Sequence, residues 1–266
     1  MASLAEARAD AAISISNVGV TFGAGREAVT ALDGIEIDIL DGAFVSLVGP
    51  SGCGKSTLLN VVADLLAPSR GRITIGGAAP AELRRRGRIG FVFQQANLMP
   101  WLRIEDNVRL LADLVRGRAG TGASGADVAR LIQVVGLDGF ERKYPHQLSG
   151  GMQQRAALAR ALALDPAVLL MDEPFAALDV ITRDRMGFEL MRIWQHYRKT
   201  VLFVTHSLAE AVFLSDTVVL MSARPSRVHR VFDIDLKRPR NHEVRLSDRF
   251  QALVGEVNRE LYRVMS

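Results

Sequence analysis

The sequence predicts an α/β domain interrupted by a helical insertion, and three observations lead to that class. The continuous apolar runs Val168-Leu169-Leu170-Met171 and Val201-Leu202-Phe203-Val204 fit strands buried on both faces of a parallel sheet. A third run, Ala43 to Val48, passes through the glycine-rich stretch Gly49-Pro50-Ser51-Gly52-Cys53-Gly54-Lys55-Ser56-Thr57 into the helical segment Leu58 to Ala63. Between Asn97 and Leu148 no strand-like run occurs, which marks the insertion.

The elements follow in order. Residues up to about Ala12 read as a loose, polar-and-alanine leader. Ile13 to Phe22 alternates apolar and polar residues and stops at Gly23-Ala24-Gly25, as a half-buried strand does. Val29 to Leu32 and Ile35 to Leu40 read as two further short strands, with Asp33-Gly34 and Asp41-Gly42 as turns. Arg72 to Ile75 and Arg88 to Phe93 are strands beyond the glycine-rich stretch. The insertion carries helices over Ile104 to Val115 and Asp127 to Val135, joined by a glycine-rich loop, Gly117 to Gly125. No Lys-Ser or Lys-Thr pair follows that loop, so it reads as a flexible connection and not as a second phosphate loop. A helix from about Gly150 to Leu164 returns the chain to the core. Met186, Leu190, Ile193 and Tyr197 then recur at helical spacing, which turns Trp194 and Tyr197 toward the core. Thr217 to Ile234 reads as two strands around Ala223-Arg224-Pro225, followed past Leu236 by a basic connector and a helix, Asp248 to Val264. The expected division is therefore a leader over 1–12, a domain over 13–236 with its helical part at about 97–155, and a C-terminal connector and helix over 237–266.

At 266 residues, 48% hydrophobic and 23% charged, the chain suits a globular core with a subdomain. A formal charge of +4 suits anionic nucleotides or the inner face of a membrane, and equally a scattered solvated surface. No apolar run reaches the roughly 18 residues of a membrane span, and Glu6 and Asp10 stand where a secretion signal needs an apolar block. One cysteine, Cys53, allows no internal disulfide, so a reducing cytoplasm is expected. This thiol reads as a small space-filling residue.

Strand, glycine-rich turn and helix, in that order, are the context of a Walker A motif. Glycines let backbone N–H groups close round a phosphate chain, and the helix start at Lys55 adds unpaired donors. Lys55 is expected to reach the β- and γ-phosphates and Ser56 to ligate Mg²⁺. The alternative is a turn that binds nothing. Asp172 and Glu173 end a buried strand, where carboxylates face the ligand crevice of open α/β sheets. Asp172 is suited to hold Mg²⁺ through water, and Glu173 to polarise an attacking water. In Leu148-Ser149-Gly150-Gly151-Met152-Gln153-Gln154-Arg155 the serine and glycines form an anion-binding nest or merely cap a helix.

With that last stretch the chain resembles ATP-binding cassette ATPases over nearly its whole length. The resemblance implies a P-loop NTPase (RecA-like) core with an antiparallel β subdomain and a helical signature subdomain. It matches Gln94 to the Q-loop, Ala177-Leu178-Asp179 to the D-loop and His206 to the switch histidine. Phe22 matches the aromatic that stacks on adenine; without the resemblance it reads as core. Ala176 stands where many members have serine, and Ser207 where aspartate is frequent, so no role is carried onto Ser207. The implied catalytic set is Glu173, His206, Gln94 and Lys55, and the implied metal set Ser56, Gln94 and Asp172. ATP would be held by Phe22, Gly49 to Thr57, Ser149, Gly150, Gly151 and Asp179.

Asn97 to Trp101, Leu178 to Arg183, Ala209 to Asp216 and Ser222 to Pro225 are similar to importer ATPases of the nitrate, taurine and alkanesulfonate group. That implies an ATPase subunit at the cytoplasmic face, powering a separate membrane permease as a head-to-tail dimer, with an extracytoplasmic solute-binding protein and no nucleic acid. In such a dimer a cysteine introduced at Ser149 or Leu148 is expected to cross-link to Cys53 of the second copy. Leu98 to Leu102 is apolar enough to receive a permease helix, or to pack in the insertion. The alternatives are an exporter or lipid-transport ATPase and a cassette acting on nucleic acid or ribosomes. The second is disfavoured by a single motif set and the lack of sustained heptads.

Overall fold

The computed structural model describes residues 11–119, 125–176 and 178–265. Most of the expected leader, part of the glycine-rich loop and Ala177 of the D-loop match lie outside the described residues. Two compact units divide the chain, one running to Ala81 and resuming at Thr200, the other spanning Glu82–Lys199. The first stretch contains β1 (Ala11–Phe22), β2 (Val29–Leu40), β3 (Phe44–Val48), α1 (Lys55–Val62) and β4 (Arg70–Ile75), with α2 (Pro80–Arg85) at its end. Glu82–Lys199 contains β5 (Ile89–Val92), α3 (Ile104–Ala119), α4 (Gly125–Val134), α5 (Gly150–Leu162), β6 (Val168–Asp172) and α6 (Val180–Tyr197). The final stretch holds β7 (Thr200–Val204), α7 (Leu208–Leu214), β8 (Thr217–Met221), β9 (Val228–Asp233), α8 (His242–Leu246) and α9 (Asp248–Met265).

In the first unit β1 lies between β2 and β4, antiparallel to both. Its alternation changes phase: Ile13 and Ile15 are buried, then Val18 and Val20. The cause is an extra residue at Asn17 (φ 49), since Ile15 faces Ile37 whereas Val18 faces Ile35. Without this bulge a period of two would turn Val18 and Val20 to solvent. The partner strand answers with its own bulge, because Val18 faces Ile35 and Val20 faces Leu32. The two expected strands around an Asp33-Gly34 turn are therefore one strand, β2. The N–H of Asp33 donates to the Ser226 carbonyl at 2.9 Å instead of closing a turn, and its carboxylate is held by Arg70 and Arg227. These guanidinium groups keep the carboxyl below its ordinary range.

β3 runs parallel between β7 and β8, with Phe44 opposite Val201 and Val45 opposite Thr217. All five β3 residues are buried, as both-sided cover requires of an apolar run. β9 closes this side antiparallel to β8. Beyond β9 the connector is tied to α7: buried Arg240 donates to the carbonyls of Val212 (3.2 Å), Phe213 (2.8 Å) and Ser215 (2.8 Å), and Arg238 to that of Leu214 (2.8 Å). Burial pushes the Arg240 guanidinium down to about 10. Phe250, Leu253 and Val257 form the buried face of α9, which packs on α7.

In the second unit β5 and β6 pair in parallel. Ala156, Ala157, Ala159 and Ala161 are all buried on α5, and these small residues let it approach α3 closely. α3 continues to Ala119, past the Val115 end expected from the sequence, so Gly117 lies within a helix. An interior glycine costs about 1 kcal/mol relative to alanine, which the buried stripe Ile104, Val108 and Ala112 is able to offset. Trp194 is buried as expected, its indole N–H donating to the Lys199 carbonyl at 2.8 Å. Tyr197 is only half-buried, because α6 ends beside it at Arg198, which is left-handed (φ 48). Among the described residues no helix is long and apolar enough to cross a membrane.

Candidate functional site

β3 delivers the chain at Val48 into the turn Gly49–Gly54, and α1 starts at Lys55. The turn is tightly enclosed. A Cβ at Gly49 (φ 156) would meet the Met221 carbonyl oxygen at 2.7 Å, and one at Gly54 (φ 112) would meet Leu32 Cδ2 at 2.8 Å. The helical ladder starts with the Leu58 N–H on the Gly54 carbonyl at 2.9 Å, so the N–H groups of Lys55, Ser56 and Thr57 precede it. Gly54 offers no side chain to cap them, and their partial positive charge suits an anion. Lys55 is buried, its ammonium donating to the carbonyls of Gly49 (2.9 Å) and Pro50 (3.0 Å). Ser51, Gly52 and Ser56 are exposed. An open pocket of about 210 Å³ is lined by Pro50, Ser51, Gly52, Cys53, Ala223 and Arg224. A turn with no room for a Cβ at Gly49 or Gly54, with a cation and a hydroxyl at the start of α1, fits a phosphate chain with Mg²⁺.

Cys53 differs from expectation as a reporter. It is only 2% exposed, with its Sγ 3.8 Å from Lys55 Nζ, and Leu148 is 6% exposed. A cross-linker does not reach a thiol packed inside the loop, so the exposed neighbour Ser51 is the position to use.

His206 follows β7 and is exposed. It is flanked by a local network: the Thr205 hydroxyl donates to Glu210 Oε2 at 2.7 Å and accepts from the Ser207 N–H at 2.9 Å. Ser207 Oγ accepts from the Glu210 N–H at 3.3 Å and caps α7. Ser207, which received no role from the sequence, is thus a helix cap, legible as the spacing Ser207-Leu208-Ala209-Glu210. Phe22 at the end of β1 is 46% exposed, which overturns its reading as core.

In the second unit β6 ends at half-buried Asp172, and Glu173 adopts left-handed backbone (φ 44). A non-glycine residue held there costs on the order of 1 kcal/mol, and this cost falls on the residue expected to face the reacting water. Gln94 is exposed, and its carbonyl accepts from Gln154 Nε2 at 2.8 Å. Arg160 donates to the carbonyls of Ala96 and Asn97, both at 2.7 Å. Fully buried Asn107 accepts from the Met99 N–H at 2.7 Å and donates to the Met99, Leu102 and Arg103 carbonyls. Gln154, Arg160 and Asn107 therefore suspend the whole segment after Gln94, and sequence reasoning missed all three. Their signal was polar groups in otherwise apolar helix faces, which burial obliges to find partners. On that segment Trp101 is 69% exposed, whereas Leu98, Met99 and Leu102 are half-buried.

Ser149 caps α5, accepting from the Met152 N–H at 3.4 Å, and a Cβ at Gly150 would meet nothing nearer than Leu178 Cδ2 at 3.8 Å. The helix start is both capped and open. Asp179 caps α6 by accepting from the Thr182 N–H at 3.0 Å, and hydrogen bonding to Thr182 holds its carboxyl below the ordinary range.

A family model described as ABC transporter matches residues 32–176. The aliphatic sulfonates import ATP-binding protein SsuB of Bacillus thuringiensis subsp. konkukian is 42% identical over 245 residues, 92% of this chain and 94% of the relative. An uncharacterized ABC transporter ATP-binding protein of Methanocaldococcus jannaschii is 46% identical over 231 residues, 86% of this chain and 84% of the relative. Among solved structures, a dimeric ATP-binding cassette in a post-hydrolysis state with ADP and Pi matches with a TM-score of 0.73 and 33% identity, covering 85% of this chain and 100% of that one.

Proposed function

Since the chain belongs to the ABC transporter family, we propose that it is the ATP-hydrolysing subunit of an importer for an aliphatic sulfonate or a related small anion. The observation that carries this reading is the phosphate loop between β3 and α1, where only glycine fits at positions 49 and 54 and Lys55 lies among the loop carbonyls. Lys55 and the first N–H groups of α1 bind the phosphate chain, and Phe22 offers a ring face to the base. Glu173 draws the proton of the attacking water, and His206 orients it. Ser56, Gln94 and Asp172 are the residues assigned to Mg²⁺, which when bound neutralises phosphate charge.

Two copies arranged head to tail would each lend Ser149, Gly150, Gly151 and Asp179 to the nucleotide of the other. Nucleotide then makes different contacts in open and closed dimers, the condition for driving a conformational change. Exposed Trp101, on its suspended segment, is the surface offered to a permease helix at the cytoplasmic face. The names of the sulfonate relatives favour import over export and over work on nucleic acid. An extracytoplasmic binding protein completes the system.

The test is reconstitution of the chain with its permease in vesicles loaded with ATP and Mg²⁺. An aliphatic sulfonate presented with the binding protein is expected to stimulate hydrolysis. Stimulation by nitrate alone would reassign the solute, and failure to hydrolyse ATP with the permease present would reject the function.

A further inference from the structure

The turn between β8 and β9 reaches the phosphate loop. Arg224 in that turn donates from Nε to the main-chain carbonyl of Gly52, and with Ala223 it walls the pocket over Pro50, Ser51, Gly52 and Cys53. The turn itself is anchored. Fully buried Ser226 donates its hydroxyl to the Ser222 carbonyl at 2.9 Å, while its N–H donates to the Ala31 carbonyl at 3.0 Å and its carbonyl accepts from Asp33 at 2.9 Å. The Ser222 N–H donates to the Arg227 carbonyl at 2.9 Å, and Ser222 Oγ accepts from the Arg227 N–H at 3.0 Å. Arg224 therefore approaches the loop from a backbone fixed to β2. Gly52 has no side chain to steady its own peptide. Because the peptide unit is planar, a donor on the Gly52 carbonyl also sets the direction of the Cys53 N–H, which closes the loop on the Pro50 carbonyl at 3.2 Å.

We propose that Arg224 is a positioning residue of the nucleotide site, holding the Gly52–Cys53 peptide in the orientation that receives the phosphate chain. The proposal rests on the ATP reading above. It assigns the hydrogen bond to the Gly52 carbonyl, and not the charge of the guanidinium, as the working interaction.

The test compares Arg224→Ala and Arg224→Gln in the full chain, with Lys55→Ala as control, by equilibrium binding of a fluorescent ATP analogue and of ADP. Glutamine places Nε2 at the same point along the side chain as arginine Nε, so it restores the donor without the charge. Arg224→Ala is expected to raise the dissociation constants for ATP and ADP roughly three- to thirtyfold, and Arg224→Gln to stay within about threefold of wild type. Thermal melting without nucleotide should be unchanged in both. Unaltered affinity in Arg224→Ala, a lowered melting temperature with unaltered affinity, or a glutamine variant as weak as alanine would each overturn the proposal. Lys55→Ala separates the failures. If it loses binding while Arg224→Ala binds normally, only the positioning role is wrong, and if it binds normally the ATP reading is wrong.

Discussion

Gln154 on α5 donates to the main-chain carbonyl of Gln94 at 2.8 Å, tying the helix capped by Ser149 to the segment just past β5 within one unit. The amide also reaches the Phe93 carbonyl at 3.3 Å. Gln154→Leu removes the donor and leaves Gln94 without its anchor. Turnover is expected to fall about tenfold with little change in the ATP concentration for half-maximal rate, since a lost buried hydrogen bond is worth roughly 1–3 kcal/mol and Lys55 and Phe22 are untouched. Steady-state kinetics decides; a change confined to nucleotide affinity would contradict the tie.

Glu173→Gln preserves shape and removes the base. ATP binding is expected to persist while turnover drops by about two orders of magnitude or more. The position after Asp172, at the end of β6 and in left-handed backbone, motivates the assignment. Near-normal hydrolysis by this variant would end it.

Phe22 is exposed enough to stack on a base. Phe22→Ala should weaken nucleotide binding several-fold to roughly tenfold and Phe22→Tyr should not, because ring stacking contributes about 0.5–1.5 kcal/mol beyond area. The dissociation constant for ATP is the readout, and equal affinities in all three proteins would remove Phe22 from the site.

The class of fold and the phosphate loop were legible because their information is contiguous: an apolar run, glycines where no Cβ fits, then Lys55. The bulges at Asn17 and Asp33-Gly34 were not. Each is defined against the register of a partner strand, so Asp33-Gly34 viewed alone looks like a turn. Gln154, Arg160 and Arg224 escaped for a related reason. Their bonds run from side chains to main-chain carbonyls far away in sequence, and a carbonyl carries no residue identity to recognise. Tyr197 was misread because helical spacing continues to the last turn, where α6 is already ending.

The head-to-tail dimer proposed above would place the loop of one copy against the signature helix start of another. With Cys53→Ser in place, Ser51→Cys and Ser149→Cys together should yield a covalent dimer under oxidation, favoured by ATP in a Glu173→Gln background. Disulfide closure requires Cα atoms within about 7 Å, so a short bismaleimide is run in parallel. Gel mobility reports the result; linkage only within single chains would confine hydrolysis to one copy.

Asp165 accepts from Lys199 at 2.7 Å and from Arg88 at 2.9 Å, and these bonds, the Lys199 one foremost, hold its carboxyl below the ordinary value of 3.8. The folded state therefore binds this proton less readily than the unfolded state. The stabilisation is complete above 3.8 and is lost as pH falls through the lower folded value. The carboxylate is 74% exposed, so solvent screening limits the pair to no more than about 1 kcal/mol. Asp165→Asn should lower the melting temperature slightly at neutral pH, and the gap to wild type should close in acid. A gap that widens in acid would mean the sign is wrong.

Arg238 and Arg240 give the C-terminal connector a bearing on how cassettes of this kind can be cut and recombined. A chain ended at Leu236 would strip the buried Arg240 donor from the carbonyls of Val212, Phe213 and Ser215 and the half-buried Arg238 donor from that of Leu214, at the far end of the helix whose first turn adjoins His206. Residues 237–266 are thus no detachable tail. A chimaera joined before Arg238 inherits either a foreign cap for α7 or none, and the place to append a label or fuse another protein is beyond α9, where the chain has already returned its guanidinium groups to the core.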